Sequence, residues 1–221
     1  MTIRIAMLLY PNLTQLDLTA PYEVLARLPG AEISLVWKSL ESVTSGTGLR
    51  LSPSTTLSEA AAADVLFVPG GSGLTSLLQD QEVLRFLRRQ AATARYVTAV
   101  CTGSLLLGAA GLLDGYRATT HWAYHELLER CGAIPVRQRV VIDRNRITAG
   151  GVTAGMDFAL RLTAELCGEQ QARGIQLGLE YDPEPPFDSG TPERATAELV
   201  EVVRARFAKS WSEYSERLPA R

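Results

Sequence analysis

Apolar and polar positions along the chain alternate between two rhythms. Ile3 to Tyr10, Ile33 to Trp37, Val65 to Val68 and Tyr96 to Val100 are short, strand-forming runs with few charges. Such runs predict strands buried on both faces, as in a parallel sheet. Between and after them the spacing turns helical. One pattern passes through Val24, Leu25 and Leu28 and stops at Pro29-Gly30. Others cover Gln81 to Thr93, with Val83, Leu84 and Leu87 on one face and Arg85, Arg88 and Arg89 on the other, then His121 to Cys131, Met156 to Cys167 and Glu169 to Leu179. Leu57 to Ala63 reads as a short Ala-rich helix. Val43 to Leu51 reads as a small hairpin, Arg117 to Thr120 as a short strand, and the segment around Asp143-Arg144-Asn145 as a second hairpin. Strands alternating with helices make the chain α/β.

Its 221 residues, 46% of them hydrophobic, suffice for one domain with an ample core. That domain is expected to span 1–221, with a Pro-rich surface arm over 183–192 and an amphipathic C-terminal helix over 194–218. Leu199, Val202, Val203, Phe207 and Trp211 of that helix stand at helical spacing, on a stripe that packs on a core or on a partner. A net charge of −2 without a Lys/Arg cluster argues against a nucleic-acid partner. No apolar run reaches membrane-spanning length, and no leader pattern opens the sequence. Three widely spaced cysteines without a C-x-x-C pair suit a reducing, cytoplasmic setting.

The chemistry-bearing stretch is Val100-Cys101-Thr102-Gly103-Ser104, where a strand runs through a Cys into a helical segment. Backbone N–H groups converge at such a turn, and the positive end of the helix dipole favours a thiolate. A buried structural Cys is the competing reading. Two further strand ends aim at the same rim: Asp17 lies beyond the first strand and Pro69-Gly70-Gly71 beyond the third. Ligand sites of open α/β sheets gather there. Asp17 is the acid of these loops, protonated longer than usual if held near a thiolate, or else a helix N-cap. Thr102 could orient water or cap the following helix. The backbone of Gly71 and Thr102 could stabilise developing charge, with Gly70 part of the same cradle. His121 and His125 are four apart, yet no third ligand lies near them, so no metal is expected; His121 is assigned to the pocket wall and His125 to surface or packing. Cys131 and Cys167 read as core filling.

Leu16-Asp17-Leu18-Thr19-Ala20-Pro21, Val68-Pro69-Gly70-Gly71, Val100-Cys101-Thr102-Gly103-Ser104 and Arg117-Ala118-Thr119-Thr120-His121-Trp122 together resemble the PfpI-type, class I glutamine amidotransferase-like superfamily, over nearly the whole chain. Within it, the motifs are most similar to the isonitrile hydratase branch. The resemblance implies a flavodoxin-like sandwich with a mostly parallel sheet, a nucleophile-elbow Cys and a homodimer. Carried across by position, Cys101 is the nucleophile, Asp17 its acidic partner and Thr102 the neighbouring hydroxyl. The reaction implied adds water to a small isocyanide through a covalent thioimidate, giving an N-substituted formamide, with no cofactor. The protease branch has His after the Cys, where this chain has Thr102, and no His follows His125 to complete an amidotransferase site. Two other readings stay open. One is a ligand-sensing domain similar to the amidase-like half of AraC-type regulators. The other is a redox-sensing or oxoaldehyde-detoxifying relative.

Overall fold

The computed structural model describes residues 2–219. Seven strands form one sheet: β1 Ile3–Leu8, β2 Ala31–Trp37, β3 Thr55–Thr56, β4 Val65–Val68, β5 Tyr96–Val100, β6 Val140–Asp143 and β7 Arg146–Ala149. Their order is β6-β7-β5-β4-β1-β2-β3, parallel throughout except for the antiparallel hairpin β6-β7 at one edge. The expected α/β architecture and mostly parallel sheet are therefore present. The central strands are the near-continuous apolar runs, and β4 is buried at every position. Both faces of these strands are covered, so their side chains are apolar or, like Thr98 and Thr148, hydrogen-bonded.

Register fixes where the loops go. Met7 pairs with Phe67, Val68 with Ala99 and Val100 with Ala149, so the carboxyl ends of β1, β4, β5 and β7 stand side by side. Among the described residues six α-helices accompany the sheet: α1 Gln15–Leu25, α2 Gln81–Ala91, α3 Gly103–Ala109, α4 Ala154–Cys167, α5 Glu169–Gly178 and α6 Ala197–Arg217. Helices α1 and α4 pack closely because Gly155 meets Pro21, where a Cβ would lie 3.1 Å from the proline ring. Phe158 of α4 stacks on Phe67 of β4 with ring centroids 5.5 Å apart, both fully buried.

Several expectations need correction. Residues 57–63 form turns and irregular chain, not a helix. Seven residues are too few to nucleate one alone, and the segment's polar backbone is claimed by α2: Gln90 bonds both the Ala63 N–H and the Ala61 carbonyl, and Arg89 bonds the Leu57 carbonyl. Residues Trp122–Cys131 wind as a 3-10 helix, closed by Gly132 in the left-handed conformation. The C-terminal helix starts at Ala197, because the Thr196 hydroxyl caps it by accepting from the Leu199 N–H. Its inward stripe is also shifted: Phe207 is half-buried and Tyr214 buried, whereas Leu199, Val202 and Trp211 face outward. Cys131 fills the core as expected, but Cys167, at the end of α4, is exposed.

The Phe67–Phe158 stack couples sheet to helix, so Phe158→Ala should cost about 3–5 kcal/mol, most of it from the cavity left behind. Urea unfolding followed by far-UV circular dichroism measures it; a loss under about 1 kcal/mol would show that the stack contributes little.

Candidate active site

Cys101 is the residue on which β5 turns into α3, and its φ of +58° lies in the left-handed region. For a residue with a Cβ that conformation costs about 1–3 kcal/mol, so the surroundings must enforce it. Three bonds do. The Cys101 N–H donates to the Ala149 and Gly150 carbonyls at 3.0 Å each, and its carbonyl accepts from the Thr120 hydroxyl at 2.7 Å. The end of β7 thus grips the elbow from the side.

Asp17 is fully buried in the first turn of α1, where it caps nothing; Thr14 occupies the cap position. Its Oδ2 accepts from the Gly70 N–H at 2.9 Å, its buried Oδ1 has no hydrogen-bond partner, and the Cys101 side chain lies close enough to favour the ionised carboxyl. Thr102 likewise makes no side-chain cap; its hydroxyl accepts from the Gly71 N–H at 3.1 Å. Both cap readings are therefore set aside. A Cβ on Gly70 would lie 2.7 Å from Asp17 Oδ2 and from the Thr102 N and Oγ1, so only glycine fits between the two side chains.

The Gly70 and Gly71 N–H groups are spent on these side chains and are not free to receive charge from a substrate. The N–H groups that bear on the sulfur belong to Thr102 and Val152. Val152, with φ +36°, follows the Gly150-Gly151 pair beyond β7. A glycine pair directly behind a strand is the sequence signal that marks this fourth loop.

Electrostatics also differ from the expectation of a dipole-stabilised thiolate. Burial, and then the neighbouring Asp17 carboxylate, push the Cys101 thiol well above its ordinary range, against the two N–H groups that favour ionisation. Burial likewise raises Asp17 to about 7, while the Cys101 side chain and the Gly70 N–H pull the other way. Removal from water, not the adjacent sulfur charge, is the main cause. Near neutrality the thiol therefore keeps its proton, while Asp17 stands between its two forms.

His121 is pushed down to about 4 by burial, and its Nδ1 accepts from the Ala123 N–H, so near neutrality it is an uncharged wall. With His125, it lines a cavity of about 360 Å³, to whose wall Thr191 and Pro192 of the Pro-rich arm also contribute. Cys101, 6% exposed, lies behind that cavity; Thr120, Gly150 and Val152, all bonded to it, form the intervening wall. The arm is thus part of the site. Among the described residues, no three His, Cys, Asp or Glu side chains are grouped as a metal site, and no helix is long and apolar enough to cross a membrane.

The DJ-1/PfpI family model matches residues 3–165, the span that carries the elbow, the acid and all seven strands. The chain belongs to the DJ-1/PfpI family. Among DJ-1/PfpI relatives, an isonitrile hydratase of Pseudomonas putida is 56% identical over the full chain and 98% of its own length. A THiJ/PfpI family protein from Pseudomonas syringae has a solved structure that superposes with a TM-score of 0.96 at 44% identity, covering 99% of this chain and 91% of that one. The transcriptional regulator GbdR of Pseudomonas aeruginosa is 35% identical over 80% of this chain and half of the regulator. The DJ-1/PfpI match ends at residue 165, so the arm and α6 lie beyond it.

The raised Asp17 pKa carries a stability consequence. Its folded value, about 7, exceeds the ordinary 3.8, so the folded state holds this proton more tightly. That stabilisation is whole below about pH 4 and is lost as pH rises through about 7. Asp17→Asn should therefore gain on wild type in unfolding free energy between pH 5 and pH 8, by on the order of 3 kcal/mol. Parallel stability curves for the two proteins across that range would contradict it.

Proposed function

We propose that this chain is an isonitrile hydratase, which adds water to an isocyanide to give an N-substituted formamide. The observation that carries the reading is the buried pairing of Asp17 with Cys101 beside the Thr102 hydroxyl, in a chain 56% identical along its length to an enzyme of that name. Cys101 is the nucleophile, Asp17 the proton carrier and Thr102 the water-positioning hydroxyl. His121 is an uncharged wall of the substrate cavity, and Gly70 and Gly71 hold the acid and the hydroxyl in place.

An isocyanide's terminal carbon accepts both an electron pair and a proton. Sulfur of Cys101 bonds to that carbon while the thiol proton, passed through Asp17, arrives on the same carbon, giving R–N=CH–S–Cys. Asp17 suits the transfer because its affinity for a proton is close to neutral. Water then adds to the thioimidate carbon; its oxygen stays there and its proton reaches nitrogen through Asp17. Collapse of the adduct expels sulfur, which recovers its proton, and releases R–NH–CHO. Each proton borrowed is returned, and no leaving group needs a histidine acid. The N–H groups of Thr102 and Val152 stabilise sulfur while it carries charge.

The 6% exposure of Cys101 favours a slender electrophile, because a linear C≡N terminus reaches a recessed sulfur that a planar carbonyl approaches less easily. The cavity of about 360 Å³ then receives the substituent. Hydration needs a reduced thiol, which agrees with a cytoplasmic setting, and the homodimer implied by the family is tested by sedimentation at twice the chain mass.

Formamide formation from alkyl isocyanides, followed by proton NMR, tests the reading. Cys101→Ala should abolish turnover, and Asp17→Asn should lower it by about 10²–10⁴-fold. Turnover surviving in Cys101→Ala excludes the covalent route. Activity should rise as pH passes through about 7, because the ionised Asp17 carboxylate is the group that takes the thiol proton; a flat profile from pH 5 to pH 8 would remove Asp17 from the proton path.

A further inference from the structure

Helix α6 brings a second hydroxyl into the site from beyond the family-matched span. The Tyr214 ring is buried at 1% exposure, and its O–H donates to the Gly71 carbonyl at 3.1 Å. The same glycine's N–H donates to Thr102 Oγ1, and the preceding N–H donates to Asp17 Oδ2. Every carbonyl of this turn is also engaged: Pro69 by the Tyr10 hydroxyl at 3.0 Å, Gly70 by the Thr14 N–H at 2.9 Å and Gly71 by Tyr214. Gly71 itself sits at φ +143°, pressed against the backbone of Leu13 and Thr14. A turn so constrained transmits the position of one partner to the others.

We infer that Tyr214 is a positioning residue for the hydration step, acting on Thr102 through Gly71. This rests on the hydratase reading above. A threonine hydroxyl has one proton and two lone pairs. On Thr102 one lone pair takes the Gly71 N–H, and the Tyr214 oxygen is the polar group that can take the proton. In the arrangement inferred, the Thr102 O–H turns to the Tyr214 oxygen and so completes a ring with two bonds of the structure, Tyr214 O–H to the Gly71 carbonyl and Gly71 N–H to the Thr102 oxygen. The remaining Thr102 lone pair is then fixed in direction, ready to accept from the water that attacks the thioimidate. Without the phenol hydroxyl the Thr102 proton loses its acceptor, the hydroxyl turns, and the proton competes for the water it should orient.

The rest of α6 supports this placement. The Tyr124 hydroxyl and Ser210 Oγ are 2.6 Å apart, and Tyr124 meets Tyr214 edge-on at 5.1 Å. His121, on the cavity wall, packs edge-on against Phe207 at 5.1 Å. One helix therefore touches both the cavity wall and the turn that carries the catalytic groups.

The step affected follows thiol addition, so the kinetic signature is specific. Tyr214→Phe should lower kcat about tenfold, lower KM in parallel and leave kcat/KM nearly unchanged. The Cys101 thioimidate should then accumulate during turnover, as a mass increase equal to that of the isocyanide. In a Thr102→Val background the same Tyr214→Phe change should have no further effect on kcat. Unaltered kcat, equal losses in kcat and kcat/KM, or additive losses in the double variant would each overturn the inference. Should Tyr214→Phe fail to fold, 3-fluorotyrosine at position 214 keeps shape and hydroxyl while altering its acidity; kcat should change with Thr102 present and not in Thr102→Val, and equal responses overturn the coupling. Wild type inactive on every isocyanide sinks the hydratase reading and this inference with it; active wild type with unaltered kcat in Tyr214→Phe sinks this inference alone.

Discussion

Two acids buried side by side, each made reluctant to ionise by its removal from water, are the constraint on which the site depends. Neither Asp17 nor Cys101 has enough water to ionise cheaply, and ionising both would place two like charges together inside the protein. The stable arrangement leaves a proton to pass between carboxyl and sulfur. That is a poor design for a permanently reactive thiolate and a good one for adding S–H across a carbon that wants both nucleophile and proton. It also explains why the pair lies at the ends of the innermost strands: only the packed centre of a parallel sheet removes water so thoroughly.

Burial of this kind needs a scaffold that does not yield. The left-handed Cys101 is gripped by β7 and Thr120, and the Pro69-Gly70-Gly71 turn is held by the Tyr10 hydroxyl and Thr14 N–H of the loop after β1, the Asp17 carboxylate of α1, the Thr102 hydroxyl just before α3 and the Tyr214 hydroxyl of α6. The two restraints share Thr102, which follows Cys101 in sequence and receives Gly71 across space. Strain at the elbow is therefore stored against the same turn that positions acid and hydroxyl. A substitution at either end should be felt at the other, as contacts with shared partners generally are.

Sequence pattern revealed the sheet because buried parallel strands announce themselves as apolar runs, and register then placed Asp17, Gly70 and Cys101 on one rim. It failed where tertiary contacts outvoted local preference. Leu57 to Ala63 has helical composition, yet Gln90 and Arg89 take its backbone groups. The inward face of α6 was misassigned because Leu199, Val202 and Trp211 are as apolar as Val203 and Phe207, and nothing local tells a covered stripe from an open one. Val152 and Tyr214 were missed for another reason. Val152 acts through its backbone N–H, which side-chain identity does not report, and Tyr214 acts across 143 positions of chain. The protonation of Cys101 was misjudged because the turn's N–H groups were visible in the pattern whereas the depth of burial was not.

The absence of a histidine base, which at first looks like a missing part, follows from the substrate. An acyl substrate needs a strong base to free the nucleophile and an acid to carry away an amine, and a histidine serves both. His121 cannot: burial holds it near 4, and its Nδ1 is committed to the Ala123 N–H. Addition to an isocyanide expels nothing, so the only proton that must move first is the thiol's own. A carboxyl with affinity near 7, touching the sulfur and sealed from solvent, is sufficient for that transfer and for the return of the proton at the end. The chemistry and the burial therefore require each other: exposing the pair would restore an ordinary aspartate, too weak a base to take the proton from the thiol.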